Sequence, residues 1–213
     1  MDDRPVKRRY DAEQRRRRAG ERRMRVVGAA RALFAERGFS GTTVAAVAGA
    51  ADVSPETIYK AFGGKAGLVR SIWQDALAGA GPEHAETRAN AVAASGSNGV
   101  QIIEGWLRLA LEVAPRAVPV LTLVRSAAEV DPEAAELLDE IERGRAERMM
   151  HNARALEAGG HLRSDLSPAQ ASDLLLIFSG EFYDPLVLRA GWDVETYVAA
   201  MTRTMAAALL RRP

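Results

Sequence analysis

Between Thr42 and Lys65 the chain reads TTVAAVAGAADVSPETIYKAFGGK, and the four residues Asp52-Val53-Ser54-Pro55 in its middle stop one helix and start another. Val44, Val47, Ala48 and Ala51 fall at i, i+3, i+4 and i+7, one apolar helical face, with Thr43 at the N-cap. Asp52 tolerates the left-handed backbone a tight turn needs, Ser54 can cap the next helix, and Pro55 suits its first position. Ile58, Ala61 and Phe62 then repeat at helical spacing toward the first helix. Glu56, Thr57, Tyr59 and Lys60 are left pointing outward. Two short helices so arranged must pack on further helices.

Those neighbours are legible on either side. Met24, Val27, Ala30, Leu33 and Phe34 make one stripe, ended by Gly38 where a left-handed C-cap is usual. After the Gly63-Gly64 turn, Leu68, Val69, Ile72, Trp73, Ala76 and Leu77 mark a fourth helix beginning near Lys65. The whole is a helix-turn-helix whose outward residues are candidate readers of DNA. We expect Glu56, Thr57 and Lys60 to reach base edges and Thr43, Tyr59 and Lys65 to hold phosphates, with Thr42, Ser54, Pro55 and Arg22 on the same surface. The start of the fourth helix adds free backbone N–H groups and the helix dipole to the charge of Lys65, which favours a DNA phosphate.

The order Thr-Thr, small apolar helix, Val-Ser-Pro, Ile58-Tyr59, Phe62 and Lys65, following a helix that ends Ala35-Glu36-Arg37-Gly38-Phe39, resembles the tetracycline-repressor (TetR) family over roughly residues 24–77. That resemblance implies a transcriptional regulator: an N-terminal DNA-binding domain, a C-terminal helical domain for ligand binding, and a four-helix dimer interface built from the last two long helices of each subunit. Asp52 stands where glycine is common in the turn.

Charge supports a nucleic-acid-facing end. Within residues 1–25 eleven bases oppose five acids, a net +6 in a chain of +1 overall, so the remainder is −5. Residues 1–19 lack apolar periodicity and are expected to form a basic disordered arm. Residues 20–80 form the helix-turn-helix domain and 81–213 the regulatory and dimerisation domain. Nothing reads as a strand, so the fold class is all-α. A short Ala-rich helix should lie between Gly79-Ala80-Gly81-Pro82 and Ser95-Gly96-Ser97-Asn98-Gly99. Further helices are expected at about 100–113, 116–128, 133–158, 168–189 and 194–210, the first two separated by Pro115.

The 168–189 segment is apolar on too many faces for one internal contact, and with the last helix, which carries Tyr197, Met201, Met205 and Leu209, it points to a homodimer through residues 168–210. A small-molecule effector would sit between facing helices. Trp106, Arg125, Met149, Phe178, Phe182 and Tyr183 are its candidate contacts, with His151 and Glu181 as further polar partners.

The chain contains no cysteine, and its three histidines are scattered, so neither a disulfide framework, a thiolate metal site nor a cofactor is expected. No nucleophile elbow or phosphate-binding glycine loop appears, which argues against an enzyme. No apolar run spans a bilayer and the Arg-rich start lacks a signal-peptide core, so a cytoplasmic protein without a membrane partner is expected. Two readings follow: a ligand-responsive repressor acting as a homodimer on an inverted-repeat operator, or a constitutive DNA-binding or interaction module without an effector.

Overall fold

The computed structural model describes residues 4–211 apart from 82 and 97, with side chains from residue 14 onward. Among the described residues nine α-helices follow one another: α1 (Arg4–Gly41), α2 (Val44–Ala50), α3 (Pro55–Phe62), α4 (Lys65–Ala78), α5 (Ala85–Ala94), α6 (Gly99–Ala128), α7 (Pro132–Ala158), α8 (Pro168–Phe178) and α9 (Val194–Leu209). A π-helical turn, Asp184–Arg189, lies between the last two. Most starts are written as side-chain caps: Thr43, Ser54, Asn98, Asp131, Ser167 and Asp193 each accept a backbone N–H of their own first turn.

Two hydrophobic clusters hold these helices. The first joins Val27, Ala30 and Phe34 of α1 to Val47 of α2, Ile58 of α3 and Leu68, Val69 and Ile72 of α4. It does not close on itself. Val120, Leu121 and Val124 of α6 and Leu137 and Ile141 of α7 complete it. The second takes the other half of α6, through Ile103, Trp106 and Leu107, with Leu156 of α7, Leu175 of α8 and Tyr197, Met201 and Leu209 of α9. Thus α6 threads both clusters.

Several expectations need correction. The segment 4–19 continues α1 as helix instead of being disordered; Met1–Asp3 lie outside the described residues. Its Ala, Glu, Gln and Arg favour helix, and extending a packed helix requires no new nucleus. Arg17 adds an i,i+4 contact of 3.8 Å to Glu21. Met24 is exposed, and Val26 takes the core position beside Val27. Ala61 is exposed too, leaving Ile58 and Phe62 to face α2.

No break occurs at Pro115: α6 runs unbroken through Pro115 and Pro119, both on its exposed side. Each ring removes one backbone bond, but packing on both clusters outweighs that loss. The segment 168–189 is not one helix, since α8 stops at Phe178 before Gly180. Beyond it Pro185 has no N–H to give, and its carbonyl accepts from Ala190, five residues on.

Candidate nucleic-acid interface and cavity

Backbone and caps together fix the outer face of α3. Thr43 Oγ1 accepts the Ala46 N–H at 3.1 Å, and Ser54 Oγ accepts that of Thr57 at 3.3 Å. Between the two caps Asp52 adopts φ 52°, the left-handed conformation that joins α2 to α3 without a glycine. Gly63, at φ 80°, ends α3 and donates its N–H to the Tyr59 carbonyl. Fully buried Ile58 anchors the helix, which leaves Glu56, Tyr59 and Lys60 in solvent. Thr57 is half-buried, its hydroxyl 3.2 Å from that of Ser54.

Glu56 lies in the first turn of α3, and its own backbone N–H, then the Ser54 hydroxyl, hold its carboxyl below the usual range. An ionised carboxylate only accepts hydrogen bonds, so the amino groups of cytosine or adenine are its natural base partners.

Lys65 opens α4, with Nζ 4.1 Å above the Phe39 ring, so its ammonium is held rather than free. No side chain caps α4. The closeness of α3 and α4 depends on Gly67, since a Cβ there would come within 1.6 Å of the Phe62 carbonyl oxygen. Arg23, which sequence reasoning missed among eleven N-terminal bases, staples the same helices. Its Nη2 donates to Ser71 Oγ at 3.0 Å, and its guanidinium lies 4.9 Å over the Phe62 ring. Arg22 is exposed, on one helical face with the exposed Arg15, Arg18 and Arg25.

Thr42 is a correction to the candidate surface. It is 1 % exposed, and its hydroxyl is 2.8 Å from the Gly38 carbonyl oxygen and 3.1 Å from that of Leu33. Its hydroxyl therefore closes the end of α1, and its side chain is turned away from the surface.

A cavity of about 810 Å³ lies among α4, α5, α6, α7 and the Ser179-Gly180 turn. Of the sequence candidates, Trp106 and Met149 line it, and Trp106 Nε1 already donates to the Ala89 carbonyl at 3.0 Å. The other four are elsewhere. Arg125 pairs with Glu142 at 2.9 Å and Glu181 at 3.0 Å, Phe178 and Phe182 stack at 5.9 Å, and Tyr183 is buried beside them in the chain. His151 reaches the cavity from an exposed position. Trp73, Leu121, Arg148 and Asn152 complete walls that sequence reasoning did not assemble. Among the described residues no group of acidic, His or Cys side chains could hold a metal ion, and no helix is long and apolar enough to cross a membrane.

Residues 26–72 match the model described as bacterial regulatory proteins, tetR family. No curated protein matches the chain by sequence. Among solved structures, NalD of Pseudomonas aeruginosa, the secondary repressor of the MexAB-OprM multidrug efflux pump, is similar at TM-score 0.71 and 19 % identity, over 92 % of this chain and 100 % of its own. GusR of Salmonella enterica is similar at TM-score 0.67 and 20 % identity, over 89 % and 95 %. The ketosteroid transcriptional regulator KstR2 of Mycobacterium tuberculosis gives TM-score 0.56 and 18 % identity, over 90 % and 96 %. At these identities the structural likenesses speak for the fold.

Proposed function

We propose, from the premise that this chain belongs through its helix-turn-helix module to the TetR family of DNA-binding transcriptional regulators, that it is a homodimeric, ligand-responsive repressor acting on an inverted-repeat operator. The observation that carries the reading is the outer face of α3, where Glu56, Tyr59 and Lys60 stand in solvent on a helix capped at both ends and anchored by Ile58. Such a helix enters the major groove, with base contacts from Glu56, Thr57 and Lys60 and phosphate contacts from Thr43, Tyr59 and Lys65.

Dimerisation is supported by apolar side chains left uncovered between residues 168 and 210. Ile177, Leu188 and Val194 are 51 %, 57 % and 49 % exposed. A two-fold pair presents two copies of α3, which calls for similar half-sites in opposite orientation. Repression is favoured by likeness to NalD, itself a repressor.

Ligand response is favoured over a constitutive module by the cavity, whose volume suits a small organic molecule. Its walls include Trp73 of the DNA-binding cluster and Trp106 of the body, so a ligand there would bias how the two halves sit and thereby operator affinity. Selection of bound DNA from random sequence tests the reading: an inverted repeat should be enriched. Single half-sites or direct repeats would remove the dimer geometry.

A further inference from the structure

The walls of the cavity are uneven, and two polar groups on one of them are incomplete. Along α6, Trp106, Leu109, Val113, Ala117 and Leu121 follow at three- and four-residue steps, one apolar face. On α7, Arg148 and Asn152 also line the cavity, one helical turn apart and on the same side. Asn152 is 5 % exposed, yet its Oδ1 has no hydrogen-bond partner among the described residues, and neither does the buried Nη2 of Arg148.

Arg148 is only partly engaged. Its Nη1 donates to Asn90 Oδ1 at 2.7 Å and approaches the exposed carboxylate of Glu86 at 3.4 Å. Burial pushes the guanidinium below its ordinary range, with Glu86 opposing the shift. Two other arginines of the lining already have partners, Arg70 with Glu140 and Arg145 with Glu142, while Arg143 is exposed to solvent. Buried polar groups are nearly always bonded, so an unmatched N–H and an unmatched acceptor one turn apart on α7 mark where a ligand's polar end completes the site.

We propose that the cavity binds a monoanionic amphiphile, an organic acid whose carboxylate accepts the Arg148 Nη2 hydrogen bond, whose adjacent hydroxyl donates to Asn152 Oδ1, and whose hydrocarbon body lies on α6. This names the ligand class for the cavity invoked above, and only its regulatory consequence rests on that reading. A cation would meet Arg148 with like charge, and a neutral chain would leave both polar atoms unmade.

Isothermal titration of the full chain with decanoate, 3-hydroxydecanoate, decan-1-ol and decyltrimethylammonium tests the assignment. Decanoate should bind at least tenfold more tightly than decan-1-ol, about 1.4 kcal/mol, and the hydroxy acid more tightly still. Arg148→Gln should bring decanoate down to the alcohol's level while Arg148→Lys keeps part of the preference, and Asn152→Leu should erase the advantage of the hydroxyl. Melting curves check that each variant folds. If Arg148→Gln does not fold, Glu86→Gln serves instead: releasing Arg148 from its carboxylate neighbour should tighten decanoate severalfold, and no change overturns the proposal. Equal affinity for acid and alcohol, no binding of either, or an acid preference that survives Arg148→Gln also overturns it. Acids that bind with this preference but leave the operator complex intact keep the site and remove the ligand-released repressor. A neutral compound that frees operator while the acids do not bind does the reverse.

Discussion

The guanidinium of Arg70 and the carboxylate of Glu140 meet in a two-pronged contact, Nε 2.8 Å from Oε1 and Nη2 2.6 Å from Oε2. The pair ties α4, the last helix of the DNA-binding module, to the middle of α7. Paired geometry of this kind fixes orientation as well as charge. Because both side chains remain partly exposed, the pair adds only about 0–1 kcal/mol to stability. Glu140→Ala should accordingly shift the melting temperature by no more than about 4 °C yet lower operator affinity roughly tenfold, because the module is no longer held at one angle. Gel-shift titration beside a melting curve separates the two effects; an unchanged operator affinity would mean that the pair orients nothing.

Acid should weaken the body through Glu112. Its carboxylate takes both Nη1 and Nη2 of Arg88 at 2.8 and 2.7 Å and the Ala80 N–H, which holds it down at about 2. Arg88 is the larger cause and the Ala80 N–H the next. The folded carboxyl binds its proton less readily than the unfolded one, so its stabilisation is complete above about pH 4.5 and lost as pH falls toward 2. Denaturant titrations between pH 5 and 2 should show stability falling less steeply in Glu112→Gln than in the parent. Parallel profiles would assign the acid limb to other carboxylates.

Lys60 and Lys65 should fail in different ways. Lys60→Ala relaxes preference at one base position by ~1–3 kcal/mol, whereas Lys65→Ala weakens all sequences about equally. The latter also loses the contact with Phe39, a further ~0.5–1 kcal/mol of stability. Sequencing the DNA selected by each variant is the check, and a changed base preference in Lys65→Ala would contradict the division of roles.

Neighbouring threonines also part company. Thr42→Val removes the hydroxyl shared by the Gly38 and Leu33 carbonyls and should cost ~0.5–1.5 kcal/mol of stability with base preference intact. Thr43→Ala removes the α2 cap, ~1 kcal/mol, and with it the phosphate contact proposed for this side chain, so its operator affinity should fall further than its stability explains. Chemical denaturation and filter binding on both variants would show any failure of that contrast.

The basic arm should reveal itself in salt. Each phosphate neutralised contributes ~0.9 to the logarithmic salt slope, so deleting residues 2–18 should flatten the slope by about 2–3 units per subunit if two or three arginines engage. Melting temperature should barely move, since Arg15 to Arg18 are exposed. An unaltered slope would make the arginines a solvated face of α1.

Much of this was legible because helix starts are local: Thr43, Ser54 and the Asp131-Pro132 entry are written in adjacent residues, and the turn at Asp52 needs only one tolerant side chain. What escaped depends on how side chains and helices pack on one another, which adjacent residues do not show. Pro115 reads as a break until two hydrophobic clusters are seen holding α6 on either side of it. Thr42 and Arg23 look like surface residues until Leu33, Gly38, Phe62 and Ser71 are brought to them. The cavity escaped for the same reason. Phe178 and Phe182 are large enough to line a pocket, but they stack on each other, and the polar groups that do line it, Arg148 and Asn152, sit on a charged helix where nothing in the residue order distinguishes them.

The sharing of α6 and α7 between the two clusters bears on where the chain can be cut. A fragment ending at residue 80 would keep α1 to α4 but lose Val120, Leu121, Val124, Leu137 and Ile141, and so present Leu68, Val69 and Ile72 to water on that side. At ~25 cal/mol per Å² of uncovered apolar surface, such a fragment is expected to aggregate or melt early rather than bind operator as an independent reader. Grafting this reader onto another body would then mean carrying the matching turns of α6 and α7 along with it.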